Sequence, residues 1–171
     1  MAAKITNIVA TAHLNCHLDL ADLEKRIPMA QYIPRRFSAL LIRVLKPYKA
    51  HCQLYRNGNI TVNGAKCASS ALALVHRFTD VLIHAGYACT VSDFKIVNVV
   101  GCFDFGRFMR LEDISTLLHE GYYPELFPGL RIKLTKCTAV LFHSGKCNFL
   151  GGKCEQDIID ARNELYERLK C

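Results

Sequence analysis

Apolar and polar positions along the chain change period several times, and each change marks an element. The run IVATAHL (8–14) and the run IVNVVGCFDF (96–105) are β-rich, and each opens a stretch of similar organisation. A short helix follows each: LADLEKRI (20–27) behind Asp19, a side chain suited to an N-cap, and EDISTLLHEG (112–121) with Glu112 and Asp113 near its start. Alternating or β-branched segments come next, RFSALLIRVL (36–45), AHCQLYRNG (50–58) and NITVNG (59–64) in the first half. A long helix closes each half. In the last one Ile158, Ala161, Leu165 and Leu169 fall on one face, and Glu164 with Arg168 makes an i,i+4 pair facing water.

The two halves are an imperfect duplication. YIPRRFSALLIRV (32–44) returns as YYPELFPGLRIKL (122–134). Asn7-Ile8-Val9 returns as Asn98-Val99-Val100, Leu20 as Leu111, and Tyr55-x-x-Gly58 as Phe142-x-x-Gly145. Each half then reaches Gly-[Ala/Gly]-Lys-Cys, at 64–67 and 151–154. The offset drifts only from 91 to 87, so short loop deletions separate the repeats, 5–91 and 92–171. Halves of about eighty residues bury a sheet and a helix poorly on their own. One antiparallel sheet spanning both, covered by helices on one face and open on the other, is the predicted solution.

Charge and composition narrow the working surface. Among 171 residues, 22 Lys and Arg oppose 15 Asp and Glu, a net charge of +7 with pI near 9.0, which favours a polyanionic partner. The excess lies in residues 1–91, with eleven basic against four acidic residues; residues 92–171 hold eleven of each. No run of eighteen apolar residues occurs and the N-terminal stretch is interrupted by Lys4, Asn7 and His13, which predicts a soluble, intracellular chain. Nine cysteines are an odd number with no CxxC pair, a pattern of scattered thiols in a reducing compartment. His143, Cys147 and Cys154 lack the paired spacing and fourth ligand of a zinc site. No catalytic triad, phosphate-binding glycine loop or paired-carboxylate constellation stands out, so neither an enzyme nor a cofactor is predicted.

NIVATAHLNCHLDL, YIPRRFSALLIRV, NGAK, DFKIVNVVG and above all YPELFPGL resemble the core of the TATA-box-binding protein family, in register from about Ile5 to Leu169. The resemblance implies a single α+β core domain over 1–171. Its shape would be a pseudo-twofold saddle, a curved ten-stranded antiparallel sheet with four helices on its convex face. It further implies a nuclear transcription initiation factor whose concave underside binds and bends double-stranded promoter DNA through the minor groove. Two stirrup loops, at Tyr32 and Tyr122, hang at the ends. By family position Phe37 with Tyr55, and Phe127 with Phe142, are the aromatic wedges that enter opened base steps. Asn7, Val9, Asn98 and Val100 match the central groove contacts.

Departures from the family pattern carry information of their own. Where the family places Val-x-Thr, this chain has Thr61-x-Asn63 and Asn148-x-Leu150. Asn63 can accept from guanine N2, so altered or relaxed sequence preference is predicted. Tyr55 in place of Phe needs a partner for its hydroxyl. Arg36, Arg43, Lys133 and Lys146 match positions directed at the DNA backbone, while Asn59 stands where a lysine is usual. Glu125, Leu126, Pro128 and Gly129 keep the second stirrup, which in the family receives transcription factor IIB; Gln31 replaces a common acidic residue at the first.

The first-half long helix, CASSALALVHRFTDVLIHAGY, has little of the family's basic character: Leu72, Leu74, Val75, Phe78, Val81, Leu82 and Ile83 surround the few cations His76, Arg77 and His84. It is either deeply covered or docks a dedicated, less acidic partner. The alternative function is a platform that has lost TATA binding and acts by docking basal factors. Catalysis of the DNA-glycosylase type is disfavoured, since no helix-hairpin-helix or catalytic aspartate is present.

Overall fold

The computed structural model describes residues 3–45 and 49–169. Its elements run β1 (Lys4–His13), α1 (Leu20–Arg26), β2 (Ala30–Gln31), β3 (Leu40–Val44), β4 (Ala50–Leu54), β5 (Asn59–Ala65), α2 (Ala68–His84), β6 (Ser92–Asp104), α3 (Leu111–Leu118), β7 (Leu130–Lys133), β8 (Thr138–Leu141), β9 (Lys146–Gly152) and α4 (Glu155–Arg168). They form two compact units. The N-unit is Asn7–Val97, and the C-unit is Met1–Thr6 with Asn98–Cys171.

In the N-unit the strands lie in the order β2-β3-β4-β5-β1, all antiparallel. In the C-unit the order is β6-β9-β8-β7, again antiparallel. The burial alternation is strict through β4 and from Asn59 to Asn63 of β5: Ala50, Cys52, Leu54, Ile60 and Val62 are buried, while His51, Gln53, Thr61 and Asn63 between them are not. Side chains on a pleated strand alternate between faces, so each unit packs one face on its helices and leaves the other to solvent. Ala71, Leu74, Val75, Phe78 and Leu82 of α2 supply the N-unit's cover, and Ile158, Ala161 and Leu165 of α4 the C-unit's.

Nine strands are present among the described residues, against ten expected. The missing one is the counterpart of β2 before the second stirrup. There the N–H of Lys133, the counterpart of Arg43, donates to the Glu120 side chain (Oε1, 3.1 Å); in the first half Ala30, the counterpart of Glu120, pairs with Ile42 of β3.

Helix starts explain two sequence signals. Asp19 caps α1, its Oδ1 accepting from the N–H groups of Ala21 (3.0 Å) and Asp22 (3.1 Å). The repeated Gly-x-Lys-Cys is a strand-to-helix turn. Gly64 and Gly151 take φ of +110° and +94°, and Cys67 and Cys154 become N-caps. The side chain three residues on closes a reciprocal cap, Ser70 in α2 and Asp157 in α4. The helix α2 is not fully enclosed: Leu72 and Ile83 are exposed on its outer side. Eight cysteines are free thiols, and Cys171 lies outside the described residues. Cys16 and Cys89 approach to 3.2 Å between sulfurs.

Asp157 gives the C-unit a measurable pH dependence. It accepts from the N–H groups of Lys153 (2.8 Å) and Cys154 (3.2 Å) and pairs with Lys136 at 3.1 Å. The Lys153 backbone bond, then Lys136, hold its carboxyl down at about 2, although burial opposes this. A depressed carboxyl stabilises the fold fully above its unfolded pKa of about 3.9 and loses that contribution as pH falls through its folded value. Asp157→Asn should therefore cost on the order of 2 kcal/mol at pH 7. In urea unfolding followed across pH, the gap between parent and variant should close as pH approaches 2.

Candidate nucleic-acid interface

Both stirrup loops are built on the same turn. The carbonyl of Ile33 accepts from the N–H groups of Arg36 and Phe37, each at 2.9 Å, and that of Tyr123 accepts from Leu126 and Phe127, each at 3.0 Å. One such turn reverses the chain and delivers a phenylalanine at the mouth of the following strand. The partner ring comes from the end of the neighbouring hairpin. Tyr55 follows β4 and Phe142 follows β8, each closing a turn in which its carbonyl accepts from Gly58 or Gly145 at 3.0 and 2.9 Å. Positive φ at those glycines, +84° and +82°, makes the turns tight.

Two aromatic pairs result. Phe37 and Tyr55 meet edge-on with centroids 6.4 Å apart, and Phe127 and Phe142 lie tilted at 6.2 Å. None of the four rings is in a core: Phe37 is 39% exposed, and the other three are half-buried. An apolar ring held half in solvent beside a basic side chain is suited to stacking on another π surface. The Tyr55 hydroxyl finds Oε1 of Gln53 at 3.4 Å, a partner on its own strand.

The two loops are anchored differently. Tyr32 takes its hold through its backbone, whose N–H donates to Glu24 at 2.8 Å. Tyr122 places its hydroxyl 3.1 Å from Nε2 of His143, whose Nδ1 lies 3.0 Å from the Met109 carbonyl oxygen. His143 thus ties the second stirrup to the β8–β9 turn, and among the described residues no group of three or more His, Cys, Asp or Glu could hold a metal ion. Leu126 at the loop tip is 81% exposed, with Glu125 and Pro128 exposed beside it and Gly129 buried beneath the rings.

Register places the remaining candidates on the solvent faces. Across the N-unit one row reads Arg43, His51, Asn63, Val9 and the next Leu41, Gln53, Thr61, Thr11. In the C-unit Arg131, Val140, Asn148 and Cys102 share a row, and Lys133, Thr138 and Leu150 another. Leu150, Asn148, Val100 and Cys102 line a hollow of about 630 Å3 with Thr6 and Lys146. Arg36 and Arg43 border a hollow of about 370 Å3 beside Phe37, and Lys146 is cross-strand from Asp104. Asn59 lies at the start of β5, exposed.

The symmetric asparagines do not behave symmetrically. Oδ1 of Asn7 accepts from the Gly64 N–H at 2.9 Å, which leaves its NH2 as the free donor. Asn98 makes no such bond among the described residues. His51, Gln53, Leu41 and Arg131 are solvent-face residues that motif matching passed over; alternation from Asn63 and Thr61 across the hairpin finds them. Arg131 stacks its guanidinium over Phe127 at 5.0 Å.

The sequence matches the family described as transcription factor TFIID, or TATA-binding protein (TBP), over residues 2–85 and 93–171. The chain belongs to the TATA-binding protein family. A TATA-box-binding protein of Strongylocentrotus purpuratus is 37% identical over 172 residues, covering 98% of this chain and 64% of that relative. The TATA-box-binding protein-like 1 of Entamoeba histolytica is 35% identical, covering 96% of this chain and 78% of its own length. The solved structure of Methanococcus jannaschii TBP matches with a TM-score of 0.87 at 29% identity, covering 99% of each chain. The TBP fold is therefore shared along the whole length, while the chain spans less than two thirds of the first of these relatives.

Within this TBP-family fold one glycine decides whether the second aromatic pair can form. A Cβ on Gly129 would lie 2.8 Å from Phe127, 2.9 Å from Val140 and 3.0 Å from Phe142. Gly129→Val should force both rings aside and cost about 1–3 kcal/mol. The urea midpoint and the ring-proton shifts of Phe127 and Phe142 should both move, whereas the Phe37 and Tyr55 resonances should not.

Proposed function

We propose that this chain is a minor-groove DNA-binding and DNA-bending transcription initiation factor of the TATA-binding protein family, acting on promoter DNA in the nucleus. The observation that carries the reading is the pair of aromatic wedges, Phe37 with Tyr55 and Phe127 with Phe142, held half-exposed by equivalent turns. No core-packing role explains that exposure. Names of relatives that are TATA-box-binding proteins point the same way.

Mechanically, a ring driven into a base step replaces lost base stacking with aromatic stacking and kinks the duplex toward the major groove. Two such steps, one per unit, leave a widened groove against which the half-exposed strand faces lie. Asn7, with its NH2 free, donates to the N3 or O2 acceptors that every base pair presents there, and Asn98 serves the same contact from the C-unit. Val9, Val100 and Leu150 supply apolar surface, and Thr61, Asn63 and Asn148 the polar contacts. Arg36, Arg43, Lys133 and Lys146 hold phosphates, which sets register but not sequence.

Protein partners occupy the other exposed features. The Glu125-Leu126 tip of the second stirrup, with Pro128 and Gly129, is the docking point for a transcription factor IIB-like protein. The outer side of α2, with Leu72, Val81 and Ile83 exposed, is the surface for a further, less acidic factor. None of these roles requires catalysis.

Gel-shift titrations on a TATA-containing duplex at several salt concentrations test the reading. The parent should bind, and Phe127→Ala with Phe142→Ala should weaken binding by about 1–3 kcal/mol per lost stacked ring. Arg36→Gln should weaken it evenly across sequences and lower the salt slope by about one. Absence of binding to any duplex at low salt would defeat the reading and leave a protein-docking platform.

A further inference from the structure

The solvent face of the N-unit is a field of hydrogen-bonding side chains where the C-unit has fewer. Gln53, Thr61 and Thr11 are lateral neighbours in one row, with His51 and Asn63 in the next. At the corresponding C-unit positions stand Val140, Asn148 and Cys102, then Thr138 and Leu150. Arg131 takes the place that Leu41 holds in the N-unit.

The N-unit groups are rich in acceptors with nothing to accept from. Among the described residues the side chains of Thr11, Thr61 and Asn63 make no hydrogen bond. Gln53 Oε1 takes the Tyr55 hydroxyl at 3.4 Å and keeps a second lone pair. Partial burial, and then the charge of Arg43, lower the pKa of His51, which favours the neutral ring and its acceptor nitrogen.

Acceptors that lose water at an interface cost free energy unless a donor meets them. The floor of the minor groove offers one donor only, the N2 amino group of guanine; A·T pairs present N3 and O2 acceptors alone. The C-unit face keeps one such amide, Asn148, beside donor and apolar groups. Arg131 is purely a donor, which guanine N2 opposes, and the exposed Leu150 leaves that amino group unpaired, while Val140 is itself buried.

We propose that the N-unit face reads G·C pairs in the minor groove by accepting guanine N2 at Asn63 and Gln53, with Thr61 and Thr11 as supporting acceptors. The C-unit face requires A·T pairs. The recognised duplex is therefore polar, G·C-bearing at the steps against the N-unit and A·T at those against the C-unit. This rests on the minor-groove reading above and assigns that site its sequence.

A competition binding scan tests it. Starting from an all-A·T duplex, a single G·C pair is placed at each step in turn, and each is compared with the same duplex carrying inosine for guanine. Inosine·cytosine lacks the N2 amino group and shows an A·T-like minor groove. The expected result is a run of steps at one end where guanine outbinds inosine by about threefold or more, and a run at the other end where guanine weakens binding by about tenfold and inosine restores it. In the double variant Asn63→Leu with Gln53→Val, which takes the C-unit's residues, the guanine-to-inosine ratio at the first run should fall to about one or below. That ratio is read within one protein, so loss of folded fraction does not alter it. A guanine penalty at every step, or an unchanged ratio in the double variant, overturns the inference while A·T binding stands. Failure to bind any duplex overturns it together with the minor-groove reading.

Discussion

Alternation of side chains across a pleated strand is the constraint on which the rest depends. Once Ala50, Cys52, Leu54, Ile60 and Val62 are committed to the helices, His51, Gln53, Thr61 and Asn63 have no choice but the other face. A shift of one residue would exchange the core for the working surface, so the burial that stabilises each unit also fixes which groups meet a ligand. Hydrophobic packing thereby sets the composition of the interface without touching it.

Duplication supplies the frame, and divergence supplies the specificity. Equivalent turns at Ile33 and Tyr123, equivalent glycines at 58 and 145, and equivalent caps at Cys67 and Cys154 keep the two aromatic pairs in the same local geometry. Around that frame the halves separate. The first stirrup carries Arg35 and Arg36, suited to phosphate, and the second carries Glu125 and Leu126, suited to protein. Asn7 is anchored by Gly64 where Asn98 has no equivalent bond among the described residues, so even matched residues present different groups.

Much of this was legible in the sequence, and the exceptions have physical causes. The repeat, the N-cap at Asp19 and the strand segments follow from period and propensity, which are local properties. The wedge candidates followed from family position, and the rings do stand paired at the ends of hairpins. Gln53, His51 and Arg131 were missed because their relevance comes from lateral neighbours on other strands, and register is a property of pairing. The tenth strand is an expectation of the family resemblance alone; where it would lie, the Lys133 N–H donates to the Glu120 side chain. The apolar look of α2 leaves open whether it is covered or docks a partner; helical geometry turns Leu72 and Ile83 away from the residues that pack.

In the proposed mechanism two aromatic pairs on half-exposed strand faces open two base steps and bend the duplex. Fluorescence energy transfer between dyes on the two ends of a short TATA-containing duplex reads that directly. Saturating protein should shorten the end-to-end distance markedly relative to the free duplex. A saturated complex that keeps the end-to-end distance of straight DNA would contradict the account.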